Sequence, residues 1–208
     1  MTHRALSRTG CLLRAMAGLL LALPPAGLGA PAAAHAESPL RPPSYRTSAA
    51  SPIAGAFQLQ APSGRTVESD ALAGRPYGLF FGFTSCPDIC PTTLAQLSLA
   101  LRSLPDPDLR IYFITVDPER DTRASLGAYM QSFDPRIVAL TGDRPAVSEA
   151  IASFGIVAER TVLPGDQYTY GHTAAVLLVD ANGLIVDRIE ASSDVSTLAA
   201  RLALLSRR

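Results

Sequence analysis

Two cysteines separated by three residues stand in the segment TSCPDICPTT, residues 84–93, and are the first candidates for chemistry. They are Cys86 and Cys90, and a proline follows each of them. Such a pair has four uses in proteins: packing, a disulfide, a dithiol redox cycle or metal binding. The residues around the pair and the elements that carry it decide between these uses.

A purely structural role accounts poorly for the pair. Buried thiols that serve only packing rarely occur as pairs beside a turn. A disulfide would close a very short loop and would remove little entropy from the unfolded chain, so it would stabilise the fold weakly. We therefore expect a bridge between Cys86 and Cys90 to be a reversible state rather than a permanent crosslink.

Dithiol catalysis stays open as a third interpretation. Redox enzymes of the thioredoxin type usually have two residues between their cysteines and a cis-proline opposite them, whereas this chain has three residues and no proline after Pro164. We predict that His172, at the start of the apolar run HTAAVLLVD, holds the position that faces the pair. An imidazole in place of a proline favours a three-ligand cup over a dithiol that releases substrates.

Two thiolates and one imidazole form a donor set for a soft metal ion. Sulfur ligands select copper(I), and a trigonal site with two sulfurs and one nitrogen suits that ion. A structural zinc site would normally need four protein ligands, and the predicted domain has no fourth Cys or His. A lone histidine is more often a packed or surface residue than a ligand, so His172 is a candidate at this stage.

Residues 1–36 have the composition of an export signal. Arginines precede the apolar run AMAGLLLAL, no acid appears before Glu37, and the stretch AAAHAES contains an A-x-A cleavage pattern. We expect a signal peptide or an N-terminal membrane anchor that places the protein on the periplasmic side, soluble or tethered to the inner membrane. A mitochondrial presequence ranks lower because of the apolar core. Cys11, His3 and His35 belong to this leader.

Residues 37–52 are rich in Pro and Ser and predict a linker to a domain over residues 53–208. The chain has 18 basic and 18 acidic residues, no basic stripe and no Trp, which excludes nucleic acid as the expected partner. Export would place the thiols in an oxidising compartment, where idle pairs become disulfides. Copper binding there requires a thiol reductant of the thioredoxin type.

The order of elements predicts an α/β fold, a thioredoxin-like three-layer sandwich with a mixed central sheet. The apolar runs PYGLFFGFT, RIYFITVD and HTAAVLLVD are typical of strands buried on both faces. Helical patterns alternate with them, and an Asn-Gly hairpin and a last helix close the chain. A small hairpin is predicted around Pro62-Ser63-Gly64.

The cysteines follow the first of these strands and precede a helix. In open α/β sheets this edge is where ligands are usually held. The helix N-terminus is expected to lower the pKa of the thiols, because its free N–H groups favour the thiolate.

With these residues in place, the sequence resembles the SCO/SenC family, copper-handling proteins of cytochrome c oxidase assembly. FGFTSCPDICPTTL, ITVDPERDT, FDPRIVALTGD and GDQYTYGHTAAVLLVD match the family's landmarks in order, and the likeness runs from about Ile53 to the last helix. The resemblance implies a thioredoxin-like fold on one N-terminal anchor, with copper held by Cys86, Cys90 and His172. It further implies delivery of copper to the binuclear copper centre of oxidase subunit II, or else reduction of that subunit's cysteines.

We therefore expect a metallochaperone rather than a turnover enzyme. Its expected partners are cytochrome c oxidase subunit II, the thiol reductant and an upstream periplasmic copper donor. In the redox alternative, a thiol–disulfide oxidoreductase, Cys86 and Cys90 are the catalytic residues. Two positions depart from the family: Ser85, where many members have His, and Gly171, where many have Asp. The missing acid weakens the expectation of copper(II) binding more than that of copper(I).

The acidic segment DPERD, residues 117–121, has two interpretations. It could form a loop near the metal that steadies the site or meets the partner. We favour a structural role, in which Asp121 or Thr122 caps the next helix and Arg120 pairs with an acid.

Overall fold

The computed structural model describes residues 55–165 and 167–207. The predicted leader, residues 1–36, and the linker, residues 37–52, lie outside the described residues. The described part contains four α-helices, a short 3₁₀ turn at Asp70–Leu72 and nine strands, in the order β1(Gln58–Gln60), β2(Thr66–Glu68), β3(Tyr77–Gly82), α1(Ile89–Arg102), β4(Arg110–Thr115), α2(Arg123–Met130), β5(Ile137–Leu140), α3(Arg144–Ser153), β6(Ala158–Val162), β7(Tyr168–His172), β8(Ala175–Val179), β9(Ile185–Glu190) and α4(Val195–Leu205).

Five strands form a mixed central sheet in the order β5-β4-β3-β8-β9. β3, β4 and β5 run parallel, whereas β8 runs antiparallel to both β3 and β9. β3 and β8 are buried along their whole length, as their continuous apolar sequences predicted. The antiparallel pairing brings the start of β8 beside the end of β3, so the segments that precede β8 and follow β3 meet at one sheet edge.

Helices cover both faces of the sheet. The parallel crossovers β3-α1-β4 and β4-α2-β5 put α1 and α2 on the same face, where α1 packs against α4 and Tyr129 of α2 packs near Phe113. On the other face, Phe81 packs against Phe154 at the end of α3. Neighbouring residues of a strand point to opposite faces, so Phe80 and Phe81 serve different halves of the core. The predicted α/β sandwich with a mixed sheet is confirmed.

The run HTAAVLLVD does not form one strand, and here the prediction was wrong. His172 is the last residue of β7, and the sheet strand β8 begins only at Ala175. β7 pairs with β6 in a separate two-stranded sheet. Unlike the fully buried β8, β7 is mostly only partly buried.

Both predicted turns are present. Gly64 adopts a φ of 87° between β1 and β2, and Gly183 a φ of 81° between β8 and β9. Left-handed φ values such as these favour glycine. None of the helices in the described part of the chain has the length and apolar content needed to cross a membrane.

Candidate metal site

Cys86 and Cys90 lie where β3 passes into α1. The backbone N–H of Cys86 donates to the carbonyl of Phe83 at 3.2 Å and closes a turn, and Cys90 is the second residue of α1. Pro91 falls in the first turn of the helix, where a missing N–H costs little. Both thiols are free; Cys90 is fully buried, and Cys86 is 8% exposed.

Gly82, the last residue of β3, leaves the space that the sulfur of Cys90 occupies. A Cβ at this position would lie 2.7 Å from Sγ of Cys90 and 2.7 Å from Cε2 of Phe113. Any side chain would displace one of them. The glycine is therefore required for close approach and not for an unusual backbone angle.

The imidazole of His172 faces the cysteines. Its Nε2 lies 3.4 Å from Sγ of Cys90, and its Nδ1 lies 3.1 Å from the carbonyl oxygen of Thr173. A carbonyl only accepts hydrogen bonds, so Nδ1 carries the proton and the lone pair of Nε2 points toward the sulfurs. Burial lowers the pKa of His172, and the hydrogen bond to the Thr173 carbonyl partly opposes this shift. The ring is thus neutral and oriented for metal binding by Nε2.

The three predicted ligand residues converge. The ligand atoms of Cys86, Cys90 and His172 all lie within 4.8 Å of one another. With metal bonds of about 2.0–2.3 Å, the ligands of a trigonal site stand roughly 3.5–4 Å apart, so small movements close the cup. Within residues 55–165 and 167–207, no other group of three Cys, His, Asp or Glu side chains converges in this way.

The electrostatic environment of Cys90 differs from the expectation. Burial raises the pKa of its thiol; the amide of Phe83 opposes this shift, and Cys86 and Asp121 add to it. The prediction that the helix N-terminus lowers the pKa is wrong for Cys90, because loss of water penalises the thiolate more than the helix end favours it. A bound cation would supply the missing compensation for the charge.

Asp121 ties the DPERD segment to the strand end that precedes the cysteines. This buried carboxylate accepts hydrogen bonds from N–H of Thr84 at 3.0 Å, from Oγ1 of Thr84 at 2.5 Å and from Oγ1 of Thr115 at 2.6 Å. Burial raises its pKa, and these threonines oppose the shift. Thr84 stands two residues before Cys86, so Asp121 steadies the start of the ligand loop.

Both interpretations of DPERD thus hold in part. Thr122 is the N-cap of α2 and accepts from N–H of Ser125 at 3.2 Å, and Arg120 pairs with Asp117. Of the two residues predicted as alternatives for the N-cap of α2, Thr122 is the cap and Asp121 is not.

Arg120 connects this loop to the β6–β7 hairpin. Its guanidinium pairs with the buried Asp117, donates to the carbonyl of Tyr168 at 2.9 Å and lies 3.9 Å from the centre of the Tyr168 ring. The ring of Phe83 makes an edge contact with His172, 5.8 Å between centroids. These contacts hold the hairpin, and with it the imidazole, against the end of β3.

The sequence model of the SCO1/SenC family matches residues 45–206. The chain belongs to the SCO1/SenC family. It is 36% identical over 135 residues to a SCO2-like protein of Rickettsia conorii, with 63% of this chain and 66% of that protein covered. It is 37% identical over 178 residues to the mitochondrial SCO2 homolog of Bos taurus, with 81% and 67% covered.

Solved structures agree with this assignment. Copper-bound ScoI of Bradyrhizobium japonicum has a TM-score of 0.68 at 37% identity, covering 73% of this chain and 98% of that one. Copper-bound yeast Sco1 has a TM-score of 0.65 at 33% identity, with 72% and 86% covered. The predicted thioredoxin-like fold and the predicted family are confirmed.

Sequence reasoning missed several residues of this SCO1/SenC site. Gly82 carried a readable signal, since a glycine inside a strand often marks a close approach. Phe83 carried none, because its contact with His172 joins elements that are distant in sequence. At Gly171, a side chain would meet nothing within 4 Å. The orientation of the His172 imidazole depends on the Thr173 carbonyl.

Proposed function

We propose that this SCO1/SenC protein is a copper metallochaperone that binds copper(I) through Cys86, Cys90 and His172. The observation that carries the proposal is the convergence of two sulfurs and one imidazole nitrogen within 4.8 Å. Soft sulfur donors favour copper(I) over harder ions. The copper-bound states of B. japonicum ScoI and yeast Sco1 support copper as the cargo.

The recipient is the binuclear copper centre of cytochrome c oxidase subunit II. His172 is only partly buried, and Cys86 is the more exposed of the two cysteines. Ligands of a partner protein can therefore approach from the side of His172 and Cys86 and replace them. The buried Cys90 then releases the copper last. Family membership supports an oxidase recipient. An upstream copper donor and a thioredoxin-type reductant complete the proposed set of partners.

The leader, residues 1–36, places the protein on the periplasmic side, soluble or anchored to the inner membrane, in this proposal. The A-x-A pattern and the apolar run support export. Detection of the mature N-terminus by mass spectrometry distinguishes a cleaved leader from an anchor. Recovery of the protein in the cytosolic fraction would contradict export.

Copper(I) titration of the reduced protein tests the binding step. Cys86→Ser, Cys90→Ser and His172→Ala should each lower the affinity sharply in competition with a chromophoric chelator. Both thiols must lose their protons to bind copper, so the copper affinity should decrease as the pH is lowered. Ser85→Ala is the matched control, because Ser85 is an exposed residue of the same loop. Full copper retention by His172→Ala would exclude it from the site.

Transfer to the metal-free copper domain of subunit II tests the delivery step. The copper-loaded protein should give the recipient the spectrum of a binuclear copper centre. Tight copper binding without transfer would contradict delivery and would indicate that the protein stores copper.

A second candidate function is thiol–disulfide exchange with the cysteines of the oxidase. The closeness of the two free thiols favours it, since the Cys86 and Cys90 sulfurs lie within 4.8 Å of each other. This function should survive His172→Ala and disappear with either cysteine. A redox titration of the pair, run beside the copper titration, separates the two functions.

A further inference from the structure

Two arginines enclose the ring of Tyr168. Cζ of Arg120 lies 3.9 Å from the centre of that ring, and Cζ of Arg160 lies 3.8 Å from it. Two guanidiniums at these distances would collide on one face of the ring, so they stack on opposite faces. The negative faces of the ring attract both cations, and the plane of the ring is therefore fixed from both sides.

The hydroxyl of Tyr168 is held as well. It donates to Oδ1 of the buried Asp117 at 3.0 Å and to Oε2 of Glu119 at 3.4 Å. Arg120 pairs with the same Asp117 and donates to the carbonyl of Tyr168 at 2.9 Å. Hydrogen bonds that involve a charged group are stronger than those between neutral groups. The ring of Tyr168 is thus fixed at its faces, its hydroxyl and its backbone.

Tyr168 and the metal ligand His172 lie on one face of β7. Alternate residues of a strand point to the same side, so Tyr168, Tyr170 and His172 share that face. The Tyr170 ring makes edge contacts with the rings of Tyr168 and Phe83, at 6.0 and 5.9 Å between centroids. Phe83 in turn contacts His172 at 5.8 Å. A continuous row of aromatic contacts therefore leads from Tyr168 to the imidazole.

The position of β7 depends on side-chain contacts of this kind. Among the described strands, β6 and β7 pair only with each other, and the chain enters the central sheet again at β8. Tyr168 contacts three residues of the DPERD segment, namely Asp117, Glu119 and Arg120. These contacts dock the hairpin where strand pairing does not.

We propose that Tyr168 is a positioning residue for copper binding, which docks β7 on the DPERD segment and thereby holds the His172 imidazole toward the two sulfurs. This inference rests on the proposed copper function and assigns part of the copper affinity to a residue that is not a ligand. Cys86 and Cys90 belong to the start of α1 and the turn before it, so they keep their places when the hairpin is released. Tyr168 therefore acts on copper through His172 and not through the cysteines.

The variant Tyr168→Leu tests this role. Leucine keeps an apolar side chain but lacks the aromatic faces and the hydroxyl, so the protein should fold without the contacts to the arginines and the acids. Copper(I) affinity should fall about 10–100-fold, the usual effect of losing a residue that orients a metal ligand. Tyr168→Phe keeps the ring between the two guanidiniums and should restore most of the affinity. Wild-type affinity of Tyr168→Leu would overturn the inference.

A double-mutant cycle with His172→Ala separates positioning from general damage. In the His172→Ala background, Tyr168→Leu should cause no further loss of copper(I) affinity, because the imidazole that it positions is already absent. The same fold loss in both backgrounds would show that Tyr168 supports the whole site and would overturn the inference. Val162→Ala is the matched control and should leave the affinity unchanged, since Val162 lies directly opposite Tyr168 in the hairpin and is 73% exposed.

A second arm uses the metal-free protein. Nuclear Overhauser effects should connect the ring protons of His172 and Phe83 in the wild type, because the two rings are in edge contact. These effects should persist in Tyr168→Phe and Val162→Ala and disappear in Tyr168→Leu. Their persistence in Tyr168→Leu would overturn the inference. Failure of the wild-type protein to bind copper would instead overturn the proposed function.

Discussion

Nε2 of His172 lies 3.4 Å from Sγ of Cys90, although 82 residues separate them in the chain. The antiparallel pairing of β8 with β3 produces this contact, because it turns the segment before β8 toward the segment after β3. The carbonyl of Thr173 then fixes which nitrogen faces the sulfur.

Gly82→Ala should damage the site sterically. The new Cβ would lie 2.7 Å from Sγ of Cys90, and overpacking of a core typically costs about 1–3 kcal/mol of stability. The copper(I) affinity should decrease as well, because the new methyl group displaces Sγ of Cys90 from its position. Chemical denaturation and a copper titration measure the two effects. Gly171→Ala is the control, since its Cβ would meet nothing within 4 Å; equal losses in both variants would contradict the steric explanation.

Asp121→Asn should loosen the strand end before the cysteines. The amide would replace one of two acceptor oxygens with an NH2 donor, opposite either the Thr84 hydroxyl or the Thr84 N–H and the Thr115 hydroxyl. An unsatisfied buried group costs about 1–3 kcal/mol. Copper(I) affinity should decrease, because Thr84 leads directly into the ligand loop. Asp88→Asn makes the same change at an exposed position of that loop and should leave stability unaltered. Wild-type stability of Asp121→Asn would show that the hydrogen bonds have no structural role.

Arg120→Ala should release the hairpin that carries the imidazole. It leaves the buried Asp117 without its ion-pair partner, and breaking a buried pair costs about 3–5 kcal/mol. Hydrogen exchange should accelerate in residues 158–172. Arg160→Ala should have a smaller effect, since Arg160 stacks on Tyr168 at 3.8 Å and is 45% exposed. Unchanged exchange in Arg120→Ala would mean that other contacts hold the hairpin.

Acid should destabilise the protein partly through the N-cap of α4. Asp194 accepts from N–H of Thr197 at 2.8 Å, and the Ser196 hydroxyl and the Thr197 donors lower its pKa from 3.8 to about 2. A lowered pKa in the folded state stabilises the protein above the unfolded value, so this contribution is complete above pH 3.8 and is lost as the pH falls toward 2. Asp194→Asn still caps the helix but does not titrate. Unfolding measured from pH 7 to pH 2 should show a shallower acid slope in this variant, and equal slopes would contradict the assignment.

The fold was largely predictable because its signals are local. The buried strands β3 and β4 and the two glycine turns follow from short stretches of sequence. The error at His172 had a local cause: Thr173 and Ala174 connect the imidazole to an apolar run but lie outside β8. Apolar character alone does not show where a strand begins, since hydrogen-bond pairing decides that.

The sequence by itself determined the donor set: two thiols three residues apart beside a helix start, one imidazole in the domain and the motifs of the family. It did so because the spacing of Cys86 and Cys90 and the element that follows them are local properties of the chain. Only the tertiary structure decided that the imidazole meets the sulfurs, that burial raises the pKa of Cys90, and that Gly82, Phe83 and Asp121 surround the site. Those features depend on which strands pair and which side chains lose contact with water, and no short stretch of sequence contains that information.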